Sequence, residues 1–218
     1  MAPSPVGAEP RARLIGVDLD NTLCDYSQVF GPIAVELGLA PRLLIDGSKR
    51  AVKDHLLNSS GGEQAWMRLQ GQVYGRFLPR ATPYPGAVEA LRRFMAMGVQ
   101  VKIVSHKTRR GHFDEHGVDL WEAARDWLKA NGLLSFGLAL EDVHFLETRD
   151  EKVARIAALG CDVFIDDLPE VLTHPAFPPG ATPIWFHGPG PISGRGEGLV
   201  GLESWREVEQ AVRMALRL

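Results

Sequence analysis

The sequence predicts an α/β protein, with a Rossmann-like parallel sheet, helices on both faces, and a small α-helical cap inserted after the first strand. Three observations predict this fold. Short apolar runs rich in Val, Ile and Phe end abruptly at polar residues, as buried parallel strands do. Segments with helical spacing lie between most of these runs. The stretch 25–82 after the first run is long and contains no convincing strand.

Five apolar runs are predicted as strands, and four segments as helices that pack on them. Three of these helices run into stops at Gly98, Asn131-Gly132 and Gly160, because glycine readily adopts the left-handed backbone conformation that ends a helix. The predicted strands are 14–19, 99–104, 143–146, 163–165 and 183–186, and the predicted helices are 87–97, 120–130, 152–159 and 205–216. Strands that alternate with helices predict a parallel sheet, and parallel sheets of this kind bind ligands beyond the carboxyl ends of their strands.

The stretch 25–82 has apolar residues at three-to-four spacing in three segments, which predicts helices. These helices are predicted at 26–39, 42–57 and 63–78, with a break at 58–62. We interpret 25–82 as a helical cap, with 1–24 and 83–218 as the core and 1–12 as a loose tail. The alternative is that these helices simply continue one domain.

Composition excludes several classes of protein. With 45% hydrophobic and 23% charged residues, the chain of 218 residues is typical of a globular protein. No apolar run is long enough to span a membrane, and the opening residues contain three prolines but no signal-like apolar segment, so we expect a cytoplasmic location. A net charge of −3 does not favour binding to nucleic acid. Cys24 and Cys161 are too few for a disulfide framework or a cysteine-rich zinc site.

Acidic residues follow two of the predicted strands where each strand ends. The first strand ends in Asp18-Leu19-Asp20, and the fourth ends in Asp166-Asp167. Taken alone, the first pair also suits an ordinary polar strand end. If the two strands are neighbours, however, the carboxylates converge and raise each other's pKa, and a divalent cation relieves that repulsion. An all-oxygen ligand set without His or Cys favours Mg²⁺ over zinc.

Two further positions predict a phosphate site beside these carboxylates. Ser105 follows the second strand and offers a hydroxyl and backbone N–H groups to a phosphoryl oxygen. Lys152 starts the predicted helix that leads into the fourth strand. Arg149 is a rival for the same role, but Lys152 stands fourteen residues before Asp166, at a helix start, and is preferred.

In their order along the chain, the first acidic pair, Ser105, Lys152 and the second acidic pair resemble the motifs of the haloacid dehalogenase (HAD) superfamily of phosphotransferases. The resemblance covers roughly residues 14–190, and residues 85–91 resemble the segment that re-enters the core after a cap. An insert between the first two motifs is what this superfamily calls a C1 cap. The motif residues are Asp18-Leu19-Asp20-Asn21-Thr22, Ser105, Lys152 and Asp166-Asp167.

The resemblance implies a mechanism for the matched residues. Asp18 would be the nucleophile that forms an aspartyl-phosphate, and Asp20 the general acid and base. Mg²⁺ would bind the carboxylates of Asp18 and Asp166 and the backbone carbonyl of Asp20. Because relatives that dehalogenate lack the second aspartate, Asp20 indicates phosphoryl transfer.

The resemblance also implies which residues hold the phosphate and support the metal. Ser105 and Lys152 would hold phosphate oxygens, and His106 is predicted to join them. Asp167 or Glu170 would contact the metal through water or support its ligands.

We therefore expect a phosphomonoesterase that acts on a small phosphorylated metabolite, either a sugar phosphate or a nucleotide. A phosphomutase would keep all of these residues, so it remains an alternative. A protein that binds phosphorylated metabolites without catalysis is a second alternative. The sequence does not determine the oligomeric state.

The sequence gives weaker signals for the residues that determine substrate specificity. Trp66 and Tyr74 share one face of a predicted helix, which either stacks on a substrate ring or simply packs on neighbouring helices. Lys107 and Arg109 belong to a segment rich in donors and are predicted to touch substrate.

Overall fold

The structure is a computed structural model that describes residues 11–113, 116–190, 196 and 198–218. Most of the predicted loose tail lies outside these residues. In chain order the elements are β1 (Leu14–Val17), β2 (Cys24–Asp25), α1 (Phe30–Glu36), α2 (Lys49–Leu57), α3 (Gly62–Tyr74), β3 (Thr82–Pro83), α4 (Ala87–Ala96), β4 (Gln100–His106), α5 (Leu120–Ala130), β5 (Val143–Leu146), α6 (Arg149–Leu159), β6 (Val163–Asp166), α7 (Pro169–Leu172), β7 (Thr182–Phe186), β8 (Gly201–Leu202) and α8 (Trp205–Leu216).

Six strands form one sheet in the order β5-β4-β1-β6-β7-β8, and every neighbouring pair is parallel. The five predicted strands are all present, and the predicted α/β fold is confirmed. β1 lies between β4 and β6, so the first strand and the strand that ends in Asp166 are neighbours. The sixth strand, β8, was not predicted because it is only two residues long, too short to carry a periodic pattern.

Side chains alternate across the sheet and form two apolar layers. Val17, Ile103 and Ile165 belong to the larger layer, which includes residues of α4, α5 and α8. Val104 and Phe164 belong to the smaller layer, with residues of α6 and α7. Because both faces are covered, the strands are apolar along their whole length, which is why they were recognisable in the sequence.

Gly16 lets β1 and β6 fit together closely. A Cβ atom on this residue would lie 2.4 Å from the ring of Phe164, a distance that real side chains do not show. The ring therefore occupies the space that a side chain would take, and glycine is required on the strand that leads to Asp18.

The helices after β1 are shorter than predicted. The predicted helix 26–39 is α1 (Phe30–Glu36), because the Asp25 side chain accepts a hydrogen bond from the N–H of Ser27 and holds a turn there. The predicted helix 42–57 breaks before Ser48, whose side chain caps α2 by accepting from the N–H of Ala51. The predicted helix 63–78 is α3 (Gly62–Tyr74), which ends at Gly75.

A two-residue antiparallel ribbon stands at both ends of this helical segment. β2 and β3 pair Cys24 with Pro83 and Asp25 with Thr82. The chain therefore leaves and rejoins the sheet region through adjacent backbones.

None of the helices in the described residues combines the length and the apolar character that crossing a membrane requires.

Candidate active site

Asp18 follows β1 directly and lies against the end of β6. Its backbone N–H donates to the carbonyl of Ile165 at 2.9 Å, so the parallel register continues to the first acidic residue. Asp166 ends β6 and is fully buried, and Asp18 is only 4% exposed. The sheet thus brings together two carboxylates that are 148 residues apart in the sequence.

A tight turn follows Asp18 and contains Asp20. Three backbone N–H groups, of Thr22, Leu23 and Cys24, point to the carbonyl of Leu19 at 2.9–3.4 Å. Asn21 has a φ of 60°, a left-handed conformation that asparagine tolerates better than most residues. The Asp-Asn-Thr sequence after Leu19 is thus suited to the turn as well as to the chemistry.

Lys152 pairs with both buried aspartates. Its ammonium nitrogen Nζ lies 2.7 Å from Oδ1 of Asp18 and 2.7 Å from Oδ2 of Asp166. The prediction that Lys152 starts its helix was wrong, because α6 begins at Arg149. A capping box between Thr148 and Glu151 starts the helix there. Lys152 consequently lies one turn inside the helix, where its side chain reaches the strand ends and is buried.

Asp18, Asp166 and Asp167 form a compact group, which we call the aspartate cluster. One carboxylate oxygen from each residue lies within 4.8 Å of the others. Desolvation raises the pKa of Asp18 to about 6, with Lys152 opposing this effect and Asp166 and Asp20 adding to it. Desolvation, followed by the charges of Asp166 and Asp18, also raises the pKa of Asp167. The three closely spaced carboxylates therefore favour a cation between them.

Asp20 is held from two sides. Its Oδ1 accepts a hydrogen bond from the Tyr26 hydroxyl at 2.6 Å, and its Oδ2 lies 2.7 Å from Nζ of Lys107. The Lys107 side chain is almost fully buried. Burial first, and then the charge of Asp20, raises the pKa of the Tyr26 hydroxyl, so this group remains a hydrogen-bond donor at neutral pH.

Ser105 lies at the end of β4 and is almost fully buried. Its hydroxyl oxygen has no hydrogen-bond partner among the residues that the structure describes. His106, the next residue, is exposed, and its Nε2 contacts the backbone carbonyl of Glu147 at 2.9 Å. Of the predicted phosphate ligands, Ser105 therefore has a free hydroxyl, whereas the ring of His106 is already engaged.

Most of these residues border one cavity of about 410 Å³, a size suited to a small molecule, whereas Asp166 and Tyr26 lie behind its lining. The cavity extends from the strand ends to α2 and α3. Its lining includes Asp18, Asp20, Asn21, Lys49, Gln70, Tyr74, Ser105, His106, Lys107, His112, Lys152 and Asp167.

No protein-family model matches the sequence, and no curated protein matches it. Solved structures do match along nearly the whole chain. A HAD family hydrolase from Deinococcus radiodurans R1, with bound phosphate and sodium, is 18% identical with a TM-score of 0.57, covering 94% of this chain and 96% of its own. The chain has the HAD fold.

Two other HAD structures resemble it to a similar degree. A HAD-hydrolase from Bacillus subtilis bound to magnesium is 13% identical with a TM-score of 0.57, covering 93% of this chain and 99% of its own. A haloacid dehalogenase-like hydrolase from Burkholderia xenovorans LB400 is 13% identical with a TM-score of 0.56. The match covers 95% of this chain and 99% of that hydrolase. Because these sequences are only 13–18% identical to this chain, the similarity shows a shared fold.

Within this HAD fold, several predicted site residues lie away from the cavity. Trp66 is buried and stacks on Phe30 with ring centroids 5.5 Å apart, so it packs between helices. Arg109 is exposed and pairs with Asp119 at 2.8 Å. Glu170 is exposed on α7 and does not belong to the aspartate cluster, whereas Asp167 does.

Lys49 lines the cavity of the HAD fold but was not predicted. It is the first residue of α2, and its Nζ donates to the Tyr74 hydroxyl at 2.8 Å. One signal in the sequence was available. A lysine directly after a capping serine places a positive charge at the positive end of the helix dipole, which is unfavourable without another role.

Proposed function

We propose that this protein is a Mg²⁺-dependent phosphomonoesterase that hydrolyses a small phosphorylated metabolite through an aspartyl-phosphate. The observation that carries the proposal is the environment of Asp18. This carboxylate is buried at the end of β1, borders the cavity, contacts the ammonium of Lys152 and belongs to the aspartate cluster. Its position suits a nucleophile that is shielded from water and oriented toward a small ligand.

In the first step, an oxygen of Asp18 attacks the phosphorus atom in line with the ester oxygen. A bond forms between the carboxylate and phosphorus while the bond from phosphorus to the ester oxygen breaks. Asp20 donates a proton to the departing oxygen, which leaves as an alcohol. The contacts of Asp20 with Tyr26 and Lys107 hold its carboxyl group in one orientation for this transfer.

In the second step, water hydrolyses the acyl-phosphate. Asp20 removes a proton from the water, whose oxygen then attacks phosphorus and displaces the Asp18 carboxylate. Phosphate leaves, and both aspartates return to their starting states. Both steps thus use the same side chain for the proton, which is consistent with its single fixed position at the cavity.

Ser105 and Lys152 are proposed to bind the phosphoryl oxygens. The Ser105 hydroxyl borders the cavity without a partner in the described part of the chain, so it is available to donate. The ammonium of Lys152 compensates negative charge as the phosphoryl group approaches Asp18.

The aspartate cluster fits a hard divalent cation. It supplies carboxylate oxygens at close spacing, with no histidine or cysteine among its members. Asp18 and Asp166 are the proposed carboxylate ligands, with the backbone carbonyl of Asp20 as a third ligand and Asp167 in contact through water. When bound, Mg²⁺ supplies positive charge that reduces the repulsion between the nucleophile and the phosphate.

We further propose that residues 25–82 form a cap over this site. The β2–β3 ribbon joins the segment to the core at both ends, and α2 and α3 contribute residues to the cavity. A cap in this position restricts the substrate to a small molecule such as a sugar phosphate or nucleotide.

A panel of phosphorylated metabolites and p-nitrophenyl phosphate, assayed with Mg²⁺ and with EDTA, tests the proposal. We expect release of phosphate that EDTA abolishes and that Asp18→Asn reduces by at least about 1,000-fold. Acid quenching should trap phosphate on the wild-type protein at Asp18.

Two results would contradict the proposal. One is a rate in Asp18→Asn equal to that of the wild type, and the other is the absence of turnover on every compound. Dependence on a bisphosphate activator, with phosphate moved within the substrate, would indicate a phosphomutase instead.

A further inference from the structure

Three lysines line the cavity, and two of them are paired with carboxylates. Lys152 contacts Asp18 and Asp166, and Lys107 contacts Asp20, each at 2.7 Å. For Lys49, no carboxylate lies within 4 Å of Nζ among the residues that the structure describes. Lys49 is therefore the cation of this cavity whose charge is not directly neutralised.

The partners of Lys49 are neutral. Its Nζ donates to the Tyr74 hydroxyl and lies 5.3 Å from the ring centroid of Phe30 and 5.6 Å from that of Tyr74. Burial alone would lower the pKa of this ammonium group, but Tyr74 and the charges of Asp167 and Asp20 hold the pKa above its usual value. Lys49 therefore carries its full charge at neutral pH.

Aromatic packing holds Tyr74 in place. Its ring meets the ring of Tyr26 edge to face with centroids 5.1 Å apart, and the ring of Phe30 at 5.9 Å. Nζ of Lys107, which pairs with Asp20, lies 4.8 Å from the centroid of the Tyr74 ring. Tyr74 therefore contacts both the lysine that holds Asp20 and the lysine that is not paired with a carboxylate.

The donors of Lys49 and Tyr74 match a carboxylate. An ammonium group has three N–H donors, and one of them goes to Tyr74. Because the Tyr74 oxygen accepts that bond, its own hydrogen is available to donate. Two N–H groups and one O–H group on a single positive charge suit a group with two oxygens and one negative charge.

A second phosphate is less well matched. A phosphate monoester carries a charge of about −1.5 to −2 at neutral pH, which the single ammonium of Lys49 does not balance. Among the described residues that line this cavity, none is an arginine, and the other two lysines are already paired with aspartates.

Building on the proposed phosphatase activity, we propose that Lys49 and Tyr74 bind a carboxylate of the substrate, so that the preferred substrates are phosphorylated carboxylic acids. The phosphoryl group of such a substrate lies at Asp18 and Ser105, and its carboxylate lies under the cap at Lys49. The cap side of the cavity thereby selects the substrate that the core side hydrolyses.

A matched pair of substrates tests this inference. 3-Phosphoglycerate and glycerol 3-phosphate differ in one end group, which is a carboxylate in the first and a hydroxymethyl group in the second. We expect the wild type to show a kcat/KM at least about 10-fold higher for 3-phosphoglycerate. Fructose 1,6-bisphosphate and fructose 6-phosphate form a second pair. The ratio of their kcat/KM values measures the effect of a second phosphate group on the substrate.

Variants of the two residues should change this preference selectively. Lys49→Met should reduce the ratio of the two kcat/KM values about 10- to 100-fold, because a charged hydrogen-bonding partner of the carboxylate is lost. Lys49→Arg should retain most of the ratio. Tyr74→Phe should reduce it about 2- to 10-fold, because it removes a neutral hydroxyl and keeps the ring. Arg50→Gln, at an exposed position next to Lys49, is the control and should leave both rates unchanged.

The outcomes separate this inference from the proposed function. Wild-type hydrolysis that depends on Asp18 but shows no preference for 3-phosphoglycerate would overturn the role of Lys49 and leave the phosphatase proposal intact. A preference that survives in Lys49→Met would do the same. A larger gain from the second phosphate than from the carboxylate would overturn the assignment of a carboxylate. If Lys49→Met does not fold, Lys49→Arg and Tyr74→Phe test the proposal instead. The proposal would be contradicted if Tyr74→Phe left the ratio of the two kcat/KM values unchanged and Lys49→Arg abolished the preference for 3-phosphoglycerate.

Discussion

On the core side of the cavity, the aspartate cluster lies at the ends of two adjacent strands, whereas on the side of the proposed cap Lys49 and Tyr74 come from two helices, α2 and α3. The core-side residues are fixed by backbone hydrogen bonds of the sheet, as between Asp18 and Ile165. The cap-side residues are fixed by packing of aromatic rings and by one hydrogen bond between side chains.

The charges on the two sides also differ. Asp18 and Asp166 share the ammonium of Lys152, and Asp20 has the ammonium of Lys107. Lys49 has neutral contacts only, among the residues described. Closely paired charges on a rigid sheet suit a reaction with strict geometric requirements, whereas a single cation without a carboxylate partner suits the binding of an anionic group of a ligand. The following predictions test this division, starting with the largest effect.

Asp20→Asn should reduce kcat/KM for an alkyl phosphate about 100- to 10,000-fold, since the proton donor for the departing oxygen is lost. In a single turnover, p-nitrophenyl phosphate should lose much less, because p-nitrophenolate departs without a proton. Rapid-quench measurements of both substrates check this. An equal loss in the first turnover on both substrates would contradict the role of Asp20 as the acid.

Lys152→Met should reduce activity about 100- to 1,000-fold, because the phosphoryl group loses the ammonium beside the nucleophile. In EDTA the variant should also be less stable, by about 3–5 kcal/mol in the free energy of unfolding, since two buried carboxylates lose their partner. Urea denaturation with and without Mg²⁺ checks this, and Mg²⁺ should restore part of the loss.

Lys102→Met is the matched control, since Lys102 forms its ion pair with Asp142 outside the cavity. This variant should keep its activity. Wild-type activity in Lys152→Met itself would place Lys152 outside the reaction.

The affinity for Mg²⁺ should fall as the pH decreases through about 6. Desolvation raises the pKa of Asp18 to about 6, so below that pH a proton occupies the carboxylate and competes with the metal. Above pH 7 the dissociation constant should be nearly constant, and between pH 7 and pH 5 it should rise by about 10-fold. Calorimetric titration checks this. Equal affinities at pH 5 and pH 7 would contradict a site that uses Asp18.

Arg109→Gln should change kcat/KM by less than about twofold, because Arg109 is exposed and its partner Asp119 lies outside the cavity. Lys107→Met, only two residues earlier, should lose clearly more, since it removes a contact of Asp20. Steady-state assays of both variants check the contrast. A larger loss in Arg109→Gln would mean that the segment after β4 reaches the substrate by a route other than the one described.

The sequence predicted which residues meet at the strand ends on the core side. The run of apolar residues before Asp18 and the run before Asp166 indicated buried parallel strands, and acids at the ends of neighbouring strands have to converge. Ser105 and Lys152 were found in the same way, from their positions relative to strands. The start of α6 was missed because the capping box at Thr148 and Glu151 was overlooked.

The cap side was predicted less well. Trp66 and Tyr74 are eight residues apart on one helix, and helical spacing did not reveal that the first packs on Phe30 whereas the second reaches the cavity. Periodicity identifies the apolar face of a helix, but it does not identify which neighbour covers each part of that face. Lys49 lies at the start of α2, and although its charge there is unfavourable for the helix dipole, the sequence does not show which side chain it contacts.

The amino-acid sequence by itself determined the order of the main strands and helices, the glycine stops of three helices, and the acidic residues at the strand ends. Each of these depends on local patterns, namely apolar runs, turn residues and acids at fixed places, which can be recognised without knowing the contacts. Only the tertiary structure decided that Lys107 holds Asp20, that Lys49 contacts Tyr74, and that His106 is engaged by Glu147. These contacts join residues that are distant in the sequence, and their partners follow from how helices pack over the sheet, which depends on the shapes of many side chains together.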